Sequence, residues 1–202
     1  MQLLVEQLLA TSPAEAIAAA LGLAYLLLAV RRNLWCWLCA FTSTSIYLVL
    51  FADAKLYMQS ALQIFYLIMA IYGFIEWRRG RTQEGDVLVR SWPLRMHLGA
   101  LGAVTLATLV NGWLLTRGTD AVSPYLDSFV TWSSVVTTWM VARRLIENWL
   151  YWIVIDSLAA YLYFTQGLLV TALLFLLYVG IVIHGYVQWR RQQVRQLAEV
   201  PA

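Results

Sequence analysis

The residues best suited to chemistry are a carboxylate and two indoles on one apolar helix. Trp149, Trp152 and Asp156 recur at i, i+3 and i+7, a spacing that places all three on one helical face. Counted from Glu147-Asn148, Asp156 lies roughly 12–14 Å along that helix, near the middle of a bilayer. An ionisable group at that depth is costly and is a functional candidate for that reason. A carboxylate above two indoles suits a flat organic cation: the rings stack on it, their π faces attract its charge, and Asp156 balances that charge. The alternative is a neutral carboxyl bonded to a neighbouring helix.

A second polar face comes from Gln59, Gln63 and Tyr66 at i, i+4 and i+7. Gln63 falls about 9–10 Å below the outer end of its helix, and its amide both donates and accepts, as a ribose hydroxyl or a carboxamide requires. Interhelical hydrogen bonding fits Gln63 equally well. Tyr47, Tyr66, Tyr163 and Tyr178 can reach the interior. Thr42 to Ser45 and the set Thr131, Ser133, Ser134, Thr137 and Thr138 read as small residues that let helices approach closely. Cys36 and Cys39 form a C-x-x-C, but one apolar helix holds both and no His cluster accompanies them, so they read as apolar fillers. Neither His97 nor His184 has a role assigned. No catalytic motif, metal set or cofactor fingerprint occurs, which argues against an enzyme and against direct drive by nucleotide hydrolysis.

These faces need helices to carry them. The chain is 61% hydrophobic and 12% charged, with ten Trp among its 202 residues, and its charges sit in short connections. That pattern predicts an integral membrane protein, and no cleavable signal peptide is expected at Met1–Ala10. Segments 13–30, 34–52, 56–77, 93–115, 126–142, 147–165 and 168–189 approach or reach the length of an apolar span. Ser12-Pro13 and Pro93 mark helix starts, and Pro124 lies just before another. Twelve of the fourteen basic residues fall on one side of this threading, leaving Lys55 and Arg117 opposite. The asymmetry puts the N-terminus outside and the C-terminus in the cytoplasm. It makes the positive charge a topology signal and not a sign of nucleic-acid binding.

The chain also repeats itself. A shift of 112 positions lays Arg31-Arg32 on Arg143-Arg144, Trp37-Leu38 on Trp149-Leu150 and Ser45 on Ser157. The same shift lays Tyr66 on Tyr178, Gly73 on Gly185, and Trp77-Arg78-Arg79 on Trp189-Arg190-Arg191. Thr44 takes the place of Asp156 in the first copy. The expected architecture is all-α with seven spans in a 3+1+3 arrangement, two parallel three-helix repeats joined by a linker helix, and a site between them. The first repeat with its cytoplasmic loop occupies 1–92, the linker 93–115, the second repeat 126–189 and a cytoplasmic tail 190–202. Gly73 and Gly185 are expected to serve helix packing.

Asn33-Leu34-Trp35-Cys36-Trp37, Lys55-Leu56-Tyr57, Leu62-Gln63 with Tyr66, and Tyr72-Gly73 with Trp77 resemble the PnuC family of bacterial vitamin transporters. So do Glu147-Asn148-Trp149-Leu150-Tyr151-Trp152 and Gln166-Gly167, in order over nearly the whole chain. The resemblance implies a fold distantly like that of the sugar-conducting SWEETs. It also implies uptake of nicotinamide riboside across the cytoplasmic membrane by facilitated diffusion, with a cytoplasmic kinase trapping the vitamin by phosphorylation. It assigns Gln63, Tyr66, Asn148, Trp149 and Trp152 to substrate binding, beside the Asp156 read above. Homo-oligomerisation enters through the resemblance alone. Nicotinamide riboside members carry Asn where this chain has Asp156, so thiamine, another cationic ring, is the second expected substrate. A membrane-embedded enzyme and a structural subunit are the readings from other classes.

Overall fold

A computed structural model describes residues 12–53, 57–81, 87–118, 123–165 and 167–198. They form seven helices: α1 (Pro13–Val30), α2 (Cys36–Asp53), α3 (Tyr57–Arg79), α4 (Leu94–Gly118), α5 (Pro124–Ala142), α6 (Asn148–Thr165) and α7 (Leu169–Ala198). No strand is present among the described residues, only the isolated bridges Arg81–Val87 and Arg90–Leu145. Lys55, Leu56 and Gln166, the side chains of Tyr57 and Gln59, and the Met1–Ala10 stretch lie outside the described residues.

Local chemistry starts these helices where the sequence marks them. Ser12 caps α1 by accepting the Glu15 N–H at 3.2 Å, with Pro13 in the first turn. Pro124 opens α5, and Pro93 immediately precedes α4. One boundary differs from expectation. Residues 190–198, beyond the expected span 168–189, continue α7 as helix, because the run after Trp189 is rich in helix-favouring Gln and Arg and contains no breaker. Docking reinforces it: Gln196 accepts the Val89 N–H at 3.1 Å and donates to the Val87 carbonyl at 3.3 Å.

The helices close a ring. α1 packs on α2, α2 on α3, α3 on α5, α5 on α6, α6 on α7 and α7 on α1, while α4 packs along α5 and touches α6 where the His97 ring lies 3.0 Å from the Tyr151 hydroxyl. The bounds of α2 and α6 coincide under the 112-residue shift, Cys36 on Asn148 and Asp53 on Thr165. Both preceding turns contain a non-glycine residue in the left-handed region, Arg32 at φ 55° and Arg144 at φ 63°. Two related sequences thus make the same tight helix–helix turn.

At the centre of the core stand four buried indoles. Trp37 meets Trp77 edge-on with centroids 5.5 Å apart, Trp77 meets Trp189 at 5.8 Å, and Trp189 meets Trp149 edge-on at 5.4 Å. Lipid tails are as apolar as leucine, so dispersion and close packing hold such a core together. Among the described residues, five helices are long and apolar enough to cross a membrane: α1, α2, most of α3, α4 and α7. α5 and α6 are less apolar because they carry buried Ser128, Ser133, Thr137, Thr138, Asn148 and Asp156. These two helices also bury more of their residues than the others do.

Candidate functional site

The six ring helices enclose a cavity of about 430 Å³, to which α4 contributes nothing. Gln63, Tyr66, Trp149, Trp152 and Asp156 all line it. α6 supplies the last three, since its i, i+3, i+7 face turns inward, and α3 supplies Gln63 and Tyr66. Asn148 does not line the cavity. It is wholly buried at the start of α6, where its amide donates to the Leu145 carbonyl, so it shapes the turn that launches the helix.

Trp149 is held from behind. Its ring packs edge-on against Trp189 and lies over Gly185, where an added Cβ would come within 2.6 Å of it. Only glycine lets α7 approach the indole this closely. Trp152 stands one turn further on, half-buried. Asp156 is 4% exposed, and neither its carboxylate nor the Gln63 amide has a side-chain hydrogen bond among the described residues. The Ser134 hydroxyl on α5, which also lines the cavity, donates to the Val130 carbonyl at 2.7 Å.

Further lining residues complete the wall. Tyr47, Tyr163, Tyr178, Thr131 and Ser134 lie on it, together with Tyr25 and Asp127. Sequence reasoning passed over these last two. The signal for Asp127 was available: with Thr131 and Ser134 it forms an i, i+4, i+7 face on α5, the same pattern that singled out Gln63. Several other hydroxyls turn to their own helix, Thr42 to Leu38, Ser45 to Phe41, Ser128 to Pro124 and Ser157 to Ile153, at 2.7–3.0 Å, which lets them sit against neighbouring helices without a stranded donor. Cys36 and Cys39 are free thiols, and Cys36 is buried in the indole core. No group of His, Cys, Asp and Glu fit to hold a metal occurs among the described residues.

A ring of apolar helices around an aromatic-walled cavity that carries a few polar groups suits a membrane transporter. The chain belongs to the nicotinamide mononucleotide transporter family, whose model matches residues 12–191, and the PnuC resemblance read from the sequence holds. The riboflavin/roseoflavin transporter RibM of Streptomyces davaonensis is 30% identical over 177 residues, covering 84% of this chain and 80% of that one. The nicotinamide riboside transporter PnuC of Escherichia coli is 25% identical over 200 residues, covering 87% and 84%. In the crystal structure of the vitamin B3 transporter PnuC the fold recurs with a TM-score of 0.70 at 24% identity, over 90% of this chain and 82% of that one. These relatives are transporters, and this chain is a membrane transporter and not an enzyme.

Proposed function

We propose that the protein imports a cationic aromatic vitamin, nicotinamide riboside first and thiamine second, across the bacterial cytoplasmic membrane. The observation that carries this reading is a cavity walled by Trp149, Trp152 and the unpaired Asp156, with no Lys, Arg or His among its described lining residues. A buried carboxylate without a counter-charge is costly, and a bound cation supplies that charge. Trp149 and Trp152 stack on the ring, and Gln63 and Tyr66 hydrogen-bond the polar remainder. Asn148 supports the site from the turn before α6.

The uptake itself is facilitated diffusion, drawn forward by a cytoplasmic kinase that phosphorylates the vitamin. Two parallel three-helix repeats, α1–α3 and α5–α7, rock about the cavity, with α4 as their linker. The N-terminus faces outward and the C-terminus inward, as the arginine-rich connections require. A homo-oligomer fits the family. The similarity to RibM favours one second reading, a neutral flavin, whose tricyclic ring suits the same indoles but leaves Asp156 without a charge to balance.

Calorimetric titration of the purified protein with nicotinamide riboside, thiamine and riboflavin tests the proposal. Preferential binding of a cation, weakened by Trp152→Ala in folded protein, supports it. Preference for riboflavin, or a Trp152→Ala variant that binds and transports unchanged, would refute it.

A further inference from the structure

A second carboxylate lines the same cavity. Asp127 sits in the first turn of α5, half-buried. α5 and α6 are consecutive helices joined by a short turn. Asp127 lies fifteen residues before the end of α5, and Asp156 eight residues after the start of α6. At 1.5 Å per residue the two carboxylates are staged roughly 10 Å apart along the bundle axis. Asp156, the inner of the two, is 4% exposed. Neither has a side-chain hydrogen bond or ion pair among the described residues, whose ion pairs join Glu76 to Arg143 and Arg144. The 112-residue shift that relates the repeats lays Glu15 on Asp127. Glu15 stands in the first turn of α1, exposed.

We propose that Asp127 forms an outer cation subsite, making the cavity a two-station path along which a monocationic aromatic ligand passes from Asp127 to Asp156. The proposal rests on the transport reading above and assigns the selectivity of its entry step. Charge of one sign along low-dielectric walls focuses the field and raises the local concentration of the opposite charge. Glu15 extends that field to the mouth. A phosphorylated or otherwise anionic vitamin is turned away at Asp127 before it can reach the indoles.

Two measurements test this, one of them independent of the substrate. In a Cys39→Ala background, Ser134→Cys places a thiol on the cavity wall two turns inward from Asp127, with Cys36 kept because it is buried. A trimethylammonium methanethiosulfonate is expected to modify that thiol from outside at least about tenfold faster than the sulfonate reagent. Asp127→Asn is expected to lower this ratio by about fivefold, and Asp127→Glu to preserve it. A ratio unchanged by Asp127→Asn, or a thiol that neither reagent reaches, overturns the subsite.

The second measurement is uptake of nicotinamide riboside and of its 1,4-dihydro form, which has nearly the same shape and no charge. Asp127→Asn is expected to raise the half-saturating concentration of the cation by about fivefold and to leave the neutral form unaffected. Equal effects on both forms overturn the proposal in favour of a structural role. A reagent ratio that falls as expected in a protein that does not take up nicotinamide riboside supports the subsite and refutes the substrate reading.

Discussion

Trp77 donates its indole N–H to the backbone carbonyl of Val141 at 3.0 Å, tying α3 to α5 in the last turn of the latter. Trp189 makes the same bond to Ala29 at 3.1 Å, tying α7 to α1. The 112-residue shift converts one pair into the other, donor on donor and acceptor on acceptor. Both bonds cross between ring segments that the sequence keeps far apart, and both indoles are wholly buried.

Replacing either tryptophan by phenylalanine keeps much of the ring and removes the donor. Trp77→Phe and Trp189→Phe are each expected to cost about 0.5–1.5 kcal/mol, the net worth of one hydrogen bond, because Val141 and Ala29 still accept the Arg144 and Arg32 N–H groups. Thermal unfolding in detergent should show a lower midpoint for each variant and a larger drop for the double variant. Wild-type midpoints would mean that the bonds add nothing to the closed ring.

Gly73 and Gly185 are equivalent in sequence but not in consequence. An added Cβ would meet Trp37 at 2.3 Å in the first case and Trp149 at 2.6 Å in the second. Alanine at either site is expected to destabilise by about 1–3 kcal/mol through overpacking. Only Gly185→Ala should also weaken ligand binding, because Trp149 lines the cavity and Trp37 does not. Equal binding by the two variants would sever the link between α7 packing and the cavity wall.

Glu76 is the counter-charge of the α5–α6 turn, lying 3.9 Å from Arg143 and 3.8 Å from Arg144. Burial, and then the neighbouring charge of Arg90, hold the Arg144 guanidinium below its ordinary pKa. Removing the acid with Glu76→Gln leaves a buried cation less compensated, with an expected cost of about 1–3 kcal/mol. Arg144 also abuts Gly80, where any Cβ would overlap the guanidinium, so Gly80→Ala should destabilise as well. Both effects are read as lower midpoints, and a Glu76→Gln midpoint equal to wild type would show that the turn does not need the acid.

Asp156→Asn keeps shape and removes charge. Affinity for a cationic vitamin is expected to fall about tenfold to a hundredfold, and affinity for a neutral ring to change little. Titrating the variant with nicotinamide riboside and with riboflavin checks this, and equal losses for both would exclude a charge-balancing role.

Much of this molecule is legible in one dimension. Span positions follow from apolar runs, because a bilayer requires continuous stretches of fixed length. The repeat is legible because its offset carries no gap, and the Trp149, Trp152 and Asp156 face because helical period links it to spacing. Asp127 carried the same signature on α5 and went unread, masked by hydroxyl residues that suggested packing alone. Tertiary structure decided the rest. The pairing of Trp77 with Val141, the glycine beneath Trp149, and the meeting of Gln63, Asp127 and Asp156 around one cavity join residues from different helices. No periodicity along a single helix encodes which partner it will face. The extension of α7 to Ala198 was decided the same way, since its anchor is the backbone of Val87 and Val89, remote in sequence and adjacent only once the ring has closed.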